Sequence, residues 1–276
     1  MHFEPPTDLR DPAVVIAFSG WNDAANAASD LAERLIEALP GDELQSIDDE
    51  TYFDFQATRP LVRREADGTW IEWPSIRFRR LRHETRDIIM VVGPEPNLRW
   101  RSFCREIVER VEQFSPSITL TLGAMLADTP HSRPFPTGLY AHTEDLRERL
   151  GFESSSYSGP TGIIGVLSQA LAHAGLPSAS LWVSVPHYVC NPPNPKAQLQ
   201  LLERLETALC VQFDRDDLES AAASWIEAVD ELAGQDPDIE EYIGQLEEAR
   251  DQEVVEENSG ERIAEEFEKY LRHRGG

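Results

Sequence analysis

The sequence predicts an α/β protein whose helices cover both faces of a mostly parallel sheet, followed by a C-terminal helical appendage. Four continuous apolar runs of strand length carry the first part: AVVIAF (13–18), DIIMVVG (87–93), SITLTLG (117–123) and SASLWVSV (178–185). Runs without polar alternation suit strands buried on both faces, as in a parallel sheet. Amphipathic helical segments fall between them, and alternation of strand with helix is the pattern of a layered α/β sheet. From residue 214 the pattern becomes helical only. The expected organisation is therefore an α/β core domain over 1–213 and an acidic α-helical appendage over 214–276.

After the first run, a polar elbow SGWND (19–23) leads into a helix predicted from Ala24 to about Leu39, with Asn22 or Asp23 as its cap. Leu31, Leu35, Ile36 and Leu39 give it an apolar stripe, and Pro40-Gly41 ends it. LQSID (44–48) reads as a strand. Residues 61–82 read as antiparallel, with Asp67-Gly68 as a hairpin signal between LVRRE and TWIEW. Arg77, Arg79, Arg80, Arg82 and Arg86 form a basic cluster there, expected to protect a sheet edge.

The loop GPEPN introduces an amphipathic helix over 98–114, with Phe103, Ile107, Val111 and Phe114 on one side. The third run gives way to a long loop, ADTPHSRPFP, and a short strand near 138–142. YSGPTGIIGVLSQALAHAG opens a helix with Pro160 near its first turn. Beyond the fourth run, a helix over about 195–210 takes Asn194 as its cap. Three helical segments close the chain: DDLESAAASWIEAVDELAG, DPDIEEYIGQLEEARDQ and SGERIAEEFEKYLRHR.

Charge and composition narrow the function. Fifty acidic residues against 25 basic ones give a net charge of −25, which argues against a broad nucleic-acid surface. Residues 214–276 alone carry 21 acids and 6 bases. No run of 18 apolar residues occurs, and the opening MHFEPPTDLR is acidic and proline-broken. Neither a signal peptide nor a membrane span is expected, and the expected location is cytoplasmic. The three cysteines, Cys104, Cys190 and Cys210, form no CxxC pair. They are expected to be reduced, mostly buried thiols rather than a disulfide framework or zinc site.

In an open parallel sheet, ligands bind outside the carboxyl ends of the strands. The loops that fall there carry Gly20, Asn22 and Asp23; Glu95 and Asn97; Asp128, His131 and Arg133; and His187, Tyr188 and Asn191. The stretch SGPTG adds Gly159, Thr161 and Gly162 at a helix N-terminus, where free N–H groups can hold an anion. The candidate ligand or anion site is thus Gly20, Asn22, Asp23, His131, Arg133, Gly159, Thr161, Gly162 and His187. The plainer reading of the same residues is structural, with glycines serving tight turns and Asn22 or Asp23 serving as helix caps. SGPTG lacks the GxxxxGK[ST] pattern of a nucleotide P-loop. Ser19 and Ser158 have His131 and His187 as available bases, but no GxSxG elbow is present, and no catalytic residue is assigned. The seven histidines make no HxH or HExxH pattern, so neither metal nor cofactor is expected.

Five motifs in order, GWNDAANAA (20–28), GPEPNLRW (93–100), LGAMLADTPHSRP (122–134), YSGPTGIIGVL (157–167) and LWVSVPHYV…PNPKAQLQLL (181–202), resemble the proteasome assembly chaperone two family, and more narrowly its actinobacterial branch. The resemblance covers about residues 13–210, and the ending SGERIAEEFEKYLR also fits that branch. Family sequences often carry a glycine where this chain has Ala25, and a glutamate where it has Ser158. The resemblance implies a three-layer α/β/α fold of the phosphorylase/hydrolase-like kind, and self-association, plausibly as a homotrimer. It further implies a non-enzymatic assembly factor or scaffold, with proteasome subunits as candidate partners. The ATP-grasp label of some relatives needs lysines and paired magnesium carboxylates that cannot be picked out here. The alternative is a nucleoside-phosphorylase-like enzyme, or a small-anion or nucleoside-binding protein, using the strand-end cleft. There Arg133, SGPTG, Trp21 and Asp23 would take the phosphate and base.

Overall fold

The computed structural model describes residues 5–48, 50–65, 68–141, 146–148 and 158–257. In chain order its main elements are β1 (Ala13–Ser19), α1 (Ala27–Ala38), β2 (Gly41–Ile47), β3 (Leu61–Glu65), β4 (Gly68–Glu72) and β5 (Ile76–Arg82). They continue with β6 (Asp87–Pro94), α2 (Trp100–Gln113), β7 (Ile118–Ala127), β8 (Thr137–Ala141) and α3 (Ile163–His173). β9 (Ser178–Pro186), α4 (Pro195–Leu209), α5 (Asp216–Ala233) and α6 (Pro237–Glu257) complete the order.

The main sheet has seven strands in the order β2-β5-β6-β1-β7-β9-β8. β1, the first apolar run, sits at its centre, parallel to β6 on one side and β7 on the other. β7 is parallel to β9, so four strands send their carboxyl ends to one edge. β5 and β8 run antiparallel to their neighbours. The lack of alternation in β1 follows from its place: Ala13, Val15 and Ala17 face one core, Val14, Ile16 and Phe18 the other. The first core joins the sheet to α1 and α4. The second joins it to α2 and α3 through Phe103, Ile107, Val111, Ile164 and Leu167. Helices thus cover both faces of a mostly parallel sheet. α5 lies on α4 and buries Leu218, Ala222 and Val229, with Trp225 partly covered beside them.

Several expectations change in detail. The arginine cluster does not guard an edge, because β5 is hydrogen-bonded on both sides, between β2 and β6. The side chains of Arg77, Arg80, Arg82 and Arg86 reach acids instead. Arg80 is buried and meets Asp87 at 2.7 Å and Asp8 at 2.9 Å, and Arg86 meets Asp11 at 2.7 Å. Burial alone would raise the Asp87 carboxyl; the Arg10 N–H and the Arg80 guanidinium hold it below its ordinary value. The helix expected at Pro160 begins at Ile163. Only Cys104 of the three thiols is buried, because Cys190 follows a short 3-10 turn and Cys210 caps α4 in a left-handed conformation. The tip of the predicted hairpin, 66–67, and the third appendage helix, 259–274, lie outside the described residues.

β3 and β4 pair only with each other, and all ten of their residues are exposed. Val62 pairs directly with Ile71 on one face of this ribbon, and Arg63 with Trp70 on the other. Its link to the body includes Trp73, 4.8 Å from the ring of Phe55.

Candidate functional site

The elbow after β1 turns sharply and buries its polar residues. Asn22 and Asp23 are both less than 5% exposed. Asp23 reaches past the end of α1: its Oδ1 accepts the Ala28 N–H at 2.7 Å, and its Oδ2 accepts the Ser29 N–H and hydroxyl. Burial pushes the Asp23 carboxyl up to about 6, against those hydrogen bonds, which favour the charged form. Between the elbow and the helix, Ala25 and Asn26 both adopt left-handed backbone, with φ near 54°. A glycine would take that conformation without strain.

The loop after β6 supplies the group that organises this end of the sheet. Glu95 Oε1 accepts the Ile163 N–H at 3.0 Å and the Asn22 side-chain amide at 3.2 Å, and its Oε2 accepts the Trp21 N–H at 3.2 Å. One carboxylate therefore ties together the loops after β1 and β6 and the first turn of α3. The N-terminus of α3, which the sequence offers as an anion nest, already holds an anion from the protein itself. Gly162 makes the close approach possible: a Cβ there would lie 2.3 Å from Asn22 Nδ2. A Cβ on Gly20 would likewise lie 3.0 Å from that of Glu95. Gly159 and Thr161 stand exposed on the approach to α3.

His131, Arg133 and His187 join a second group instead. His131 is 1% exposed, with Nδ1 2.8 Å from the Tyr188 hydroxyl and Nε2 2.9 Å from Asp230 of α5. Arg133 makes a two-pronged pair with Asp251 of α6, both contacts at 2.9 Å, and lies 3.5 Å from Glu247. His187 Nδ1 is 3.2 Å from Asp128, whose carboxylate also accepts the Tyr242 hydroxyl. Beneath the loop, the Lys196 ammonium donates to the carbonyls of His131 and Arg133 and sits 4.6 Å from the centre of the Phe135 ring. Burial lowers the Lys196 ammonium to about 8.

Sequence reasoning placed Glu95 at this edge without giving it a role, and it passed over Lys196. Lys196 had one signal, being one of only two lysines in the chain. Glu95 had none, since its partners lie in two segments distant from it in sequence, the loop after β1 and the first turn of α3. Seven of the nine candidates thus divide, with Gly159 and Thr161 in neither group. Gly20, Asn22, Asp23 and Gly162 gather around Glu95 and α1; His131, Arg133 and His187 gather under the acidic helices.

Apolar side chains are uncovered at the carboxyl edge, beside exposed polar ones such as Asp128 and Asn97. Trp21 is 69% exposed, Met125 and Leu126 are exposed at the end of β7, and Leu98 is exposed in the loop after β6. A hollow of about 310 Å³ opens at the opposite, amino end of the sheet, between Arg86, Ser117, Leu209 and Cys210. Among the described residues no helix is long and apolar enough to cross a membrane. No group of three metal-ligating side chains gathers among them either.

A layered α/β protein whose buried strand-end polar groups are bonded internally, with apolar side chains exposed beside them, is the class that fold and site define. The chain belongs to the PAC2 family, whose model matches residues 17–233. It is similar to a solved proteasome-assembly chaperone homologue from Mycobacterium tuberculosis, at 39% identity over 84% of this chain and 99% of that one, with a TM-score of 0.76. A PAC2 family protein from Streptomyces avermitilis is 42% identical over 84% of this chain and 99% of that one, with a TM-score of 0.80. A protein of unknown function from Corynebacterium glutamicum is 26% identical over 92% of this chain and 96% of that one, with a TM-score of 0.81. No curated protein gives a significant match.

Proposed function

We propose that this protein is a cytoplasmic, non-enzymatic assembly factor that associates with itself, and that proteasome subunits are among its partners. The observation that carries the reading is the β3–β4 ribbon. A two-stranded ribbon alone in water is marginally stable, yet this one exposes Leu61, Val62, Trp70 and Ile71 with no third strand beside it among the described residues. Apolar surface of this kind marks a protein contact. The Mycobacterium relative described as a proteasome-assembly chaperone homologue supports the choice of partner. A phosphorylase-type enzyme would need an open polar cradle, and here Asp23, Glu95, His131 and Arg133 are already bonded within the chain. We also propose the division at 213/214, with α5 and α6 as an appendage to the α/β core.

Light scattering on a size-exclusion column tests the reading. The wild-type chain elutes as an oligomer, and Val62→Glu with Ile71→Glu shifts it to monomer while the circular dichroism spectrum is kept. Affinity capture from the native cell then recovers proteasome subunits with the wild type and fewer with the double variant. A wild-type monomer at tens of micromolar, together with capture that never brings down an assembly, defeats the proposal.

A further inference from the structure

The two acidic helices are held on the body in different ways. α5 is packed: Leu218, Ala222 and Val229 are buried, and Trp225 meets the rings of His131 and Phe135. α6 follows a three-residue link, 234–236, and buries only Ile243 among its described side chains, with Tyr242 and Leu246 half-covered beside it. Its other holds are aromatic and polar. Tyr242 sets its ring against His187 and Tyr188 and its hydroxyl on Asp128. Glu247 accepts from Ser132 and faces Arg133, and Asp251 takes the Arg133 fork. Exposed pairs of this kind are individually weak and screened by salt. Such a helix is a strap that a competitor can displace.

The surface under the strap has a definite chemistry. Arg133 offers a fork matched to a carboxylate, Ser132 a hydroxyl, His187 and Tyr188 an aromatic wall, and Asp128 an acceptor for a phenol. Lys196 pins the backbone of this loop from below, so the surface keeps its shape when the strap leaves. We propose that Ser132, Arg133, His187 and Tyr188 form a receptor groove for an acidic amphipathic helix of a protein partner, and that α6 is the chain's own occupant, closing the groove until it is displaced. The partner helix presents an aromatic anchor followed by carboxylates five and nine positions on, the spacing of Tyr242, Glu247 and Asp251. This is recognition of a helix in a groove, with one end set by packing and the other by charge. It is separate from self-association through the ribbon, and each can fail without the other.

The test uses the full chain and a release variant carrying Tyr242→Ala, Glu247→Gln and Asp251→Asn. Hydrogen exchange over 237–252 should rise in the variant. A fluorescent peptide of residues 237–252 should then bind the variant at least about tenfold more tightly than the wild type, whose groove is occupied. Adding Arg133→Ala to the variant should abolish binding, as should high salt. A second helical peptide of unrelated sequence, keeping only the tyrosine, the two apolar positions after it and the two carboxylates, should bind as well. Unchanged exchange in the release variant overturns the strap. Free exchange without peptide binding, or binding indifferent to Arg133, overturns the groove. Binding of the native peptide but not the second one confines the contact to this chain and overturns the partner.

Discussion

Removing Glu95 tests the internal bonding of the strand end most directly. In Glu95→Ala the Ile163 N–H, the Asn22 amide and the Trp21 N–H all lose their acceptor. A hydrogen bond to a charged group contributes about 1.5–3 kcal/mol where it is shielded from water. The Trp21 N–H is exposed and regains water, so it adds little. Asn22 is buried, and the Ile163 N–H belongs to a helix N-terminus whose dipole favours an anion by roughly 0.3–1 kcal/mol. Reorganisation of the half-buried site lets water recover part of this, leaving an expected loss of about 2–4 kcal/mol. For a chain of this size that lowers Tm by roughly 4–16 °C, at about 2–4 °C per kcal/mol. The vacated N-terminus should then accept an external anion: phosphate at tens of millimolar should raise the Tm of Glu95→Ala by several degrees more than that of the wild type. Differential scanning calorimetry reads both. A variant melting within a degree or two of the wild type, with no selective phosphate effect, would refute the assignment of Glu95 as the resident anion of α3.

Two further substitutions probe the elbow. The native Asp23 carboxyl binds its proton more tightly than in the unfolded chain, so its contribution favours folding most at low pH and is lost as pH rises from about 4 through about 6. The rise from 3.8 to about 6 corresponds to about 3 kcal/mol over the full range of pH. At pH 4 the unfolded carboxyl is already partly ionised, so urea unfolding at pH 4 and pH 7 should show wild type losing about 2 kcal/mol of this relative to Asp23→Asn, and a pH-independent difference would remove the shift. Ala25→Gly relieves left-handed strain of roughly 1–2 kcal/mol, partly offset by the greater freedom of glycine in the unfolded chain. Tm should rise by about 1–4 °C; a fall would mean that the buried Ala25 methyl contributes more than the strain.

Much of the architecture is legible in the residues because burial is written locally. AVVIAF has no polar alternation, and it forms the central strand with a core on each face. Phe103, Ile107 and Val111 recur at helical spacing and lie together under α2. Asn194 precedes Pro195 and caps α4 by accepting the Ala197 N–H. The arginines of β5 misled for a related reason. Alternating charge signals an edge only when nothing pairs with it, and Arg80 lies buried because Asp87, on the adjoining strand, and Asp8 both reach it.

The strand-end loops divide along the same line. Sequence by itself determined which residue types arrive at the carboxyl edge, since each follows a strand whose apolar run fixes its place. It also determined the family, through motifs in order. Only the tertiary structure decided that this edge is closed by its own charges. Glu95 meets Ile163 across 68 positions, His131 meets Asp230 across 99, and Arg133 meets Asp251 across 118. Hydrophobic periodicity is a property of neighbours along the chain. Pairing of charges depends on where distant loops end, so a basic loop and an acidic helix read as two free surfaces until the fold sets one upon the other.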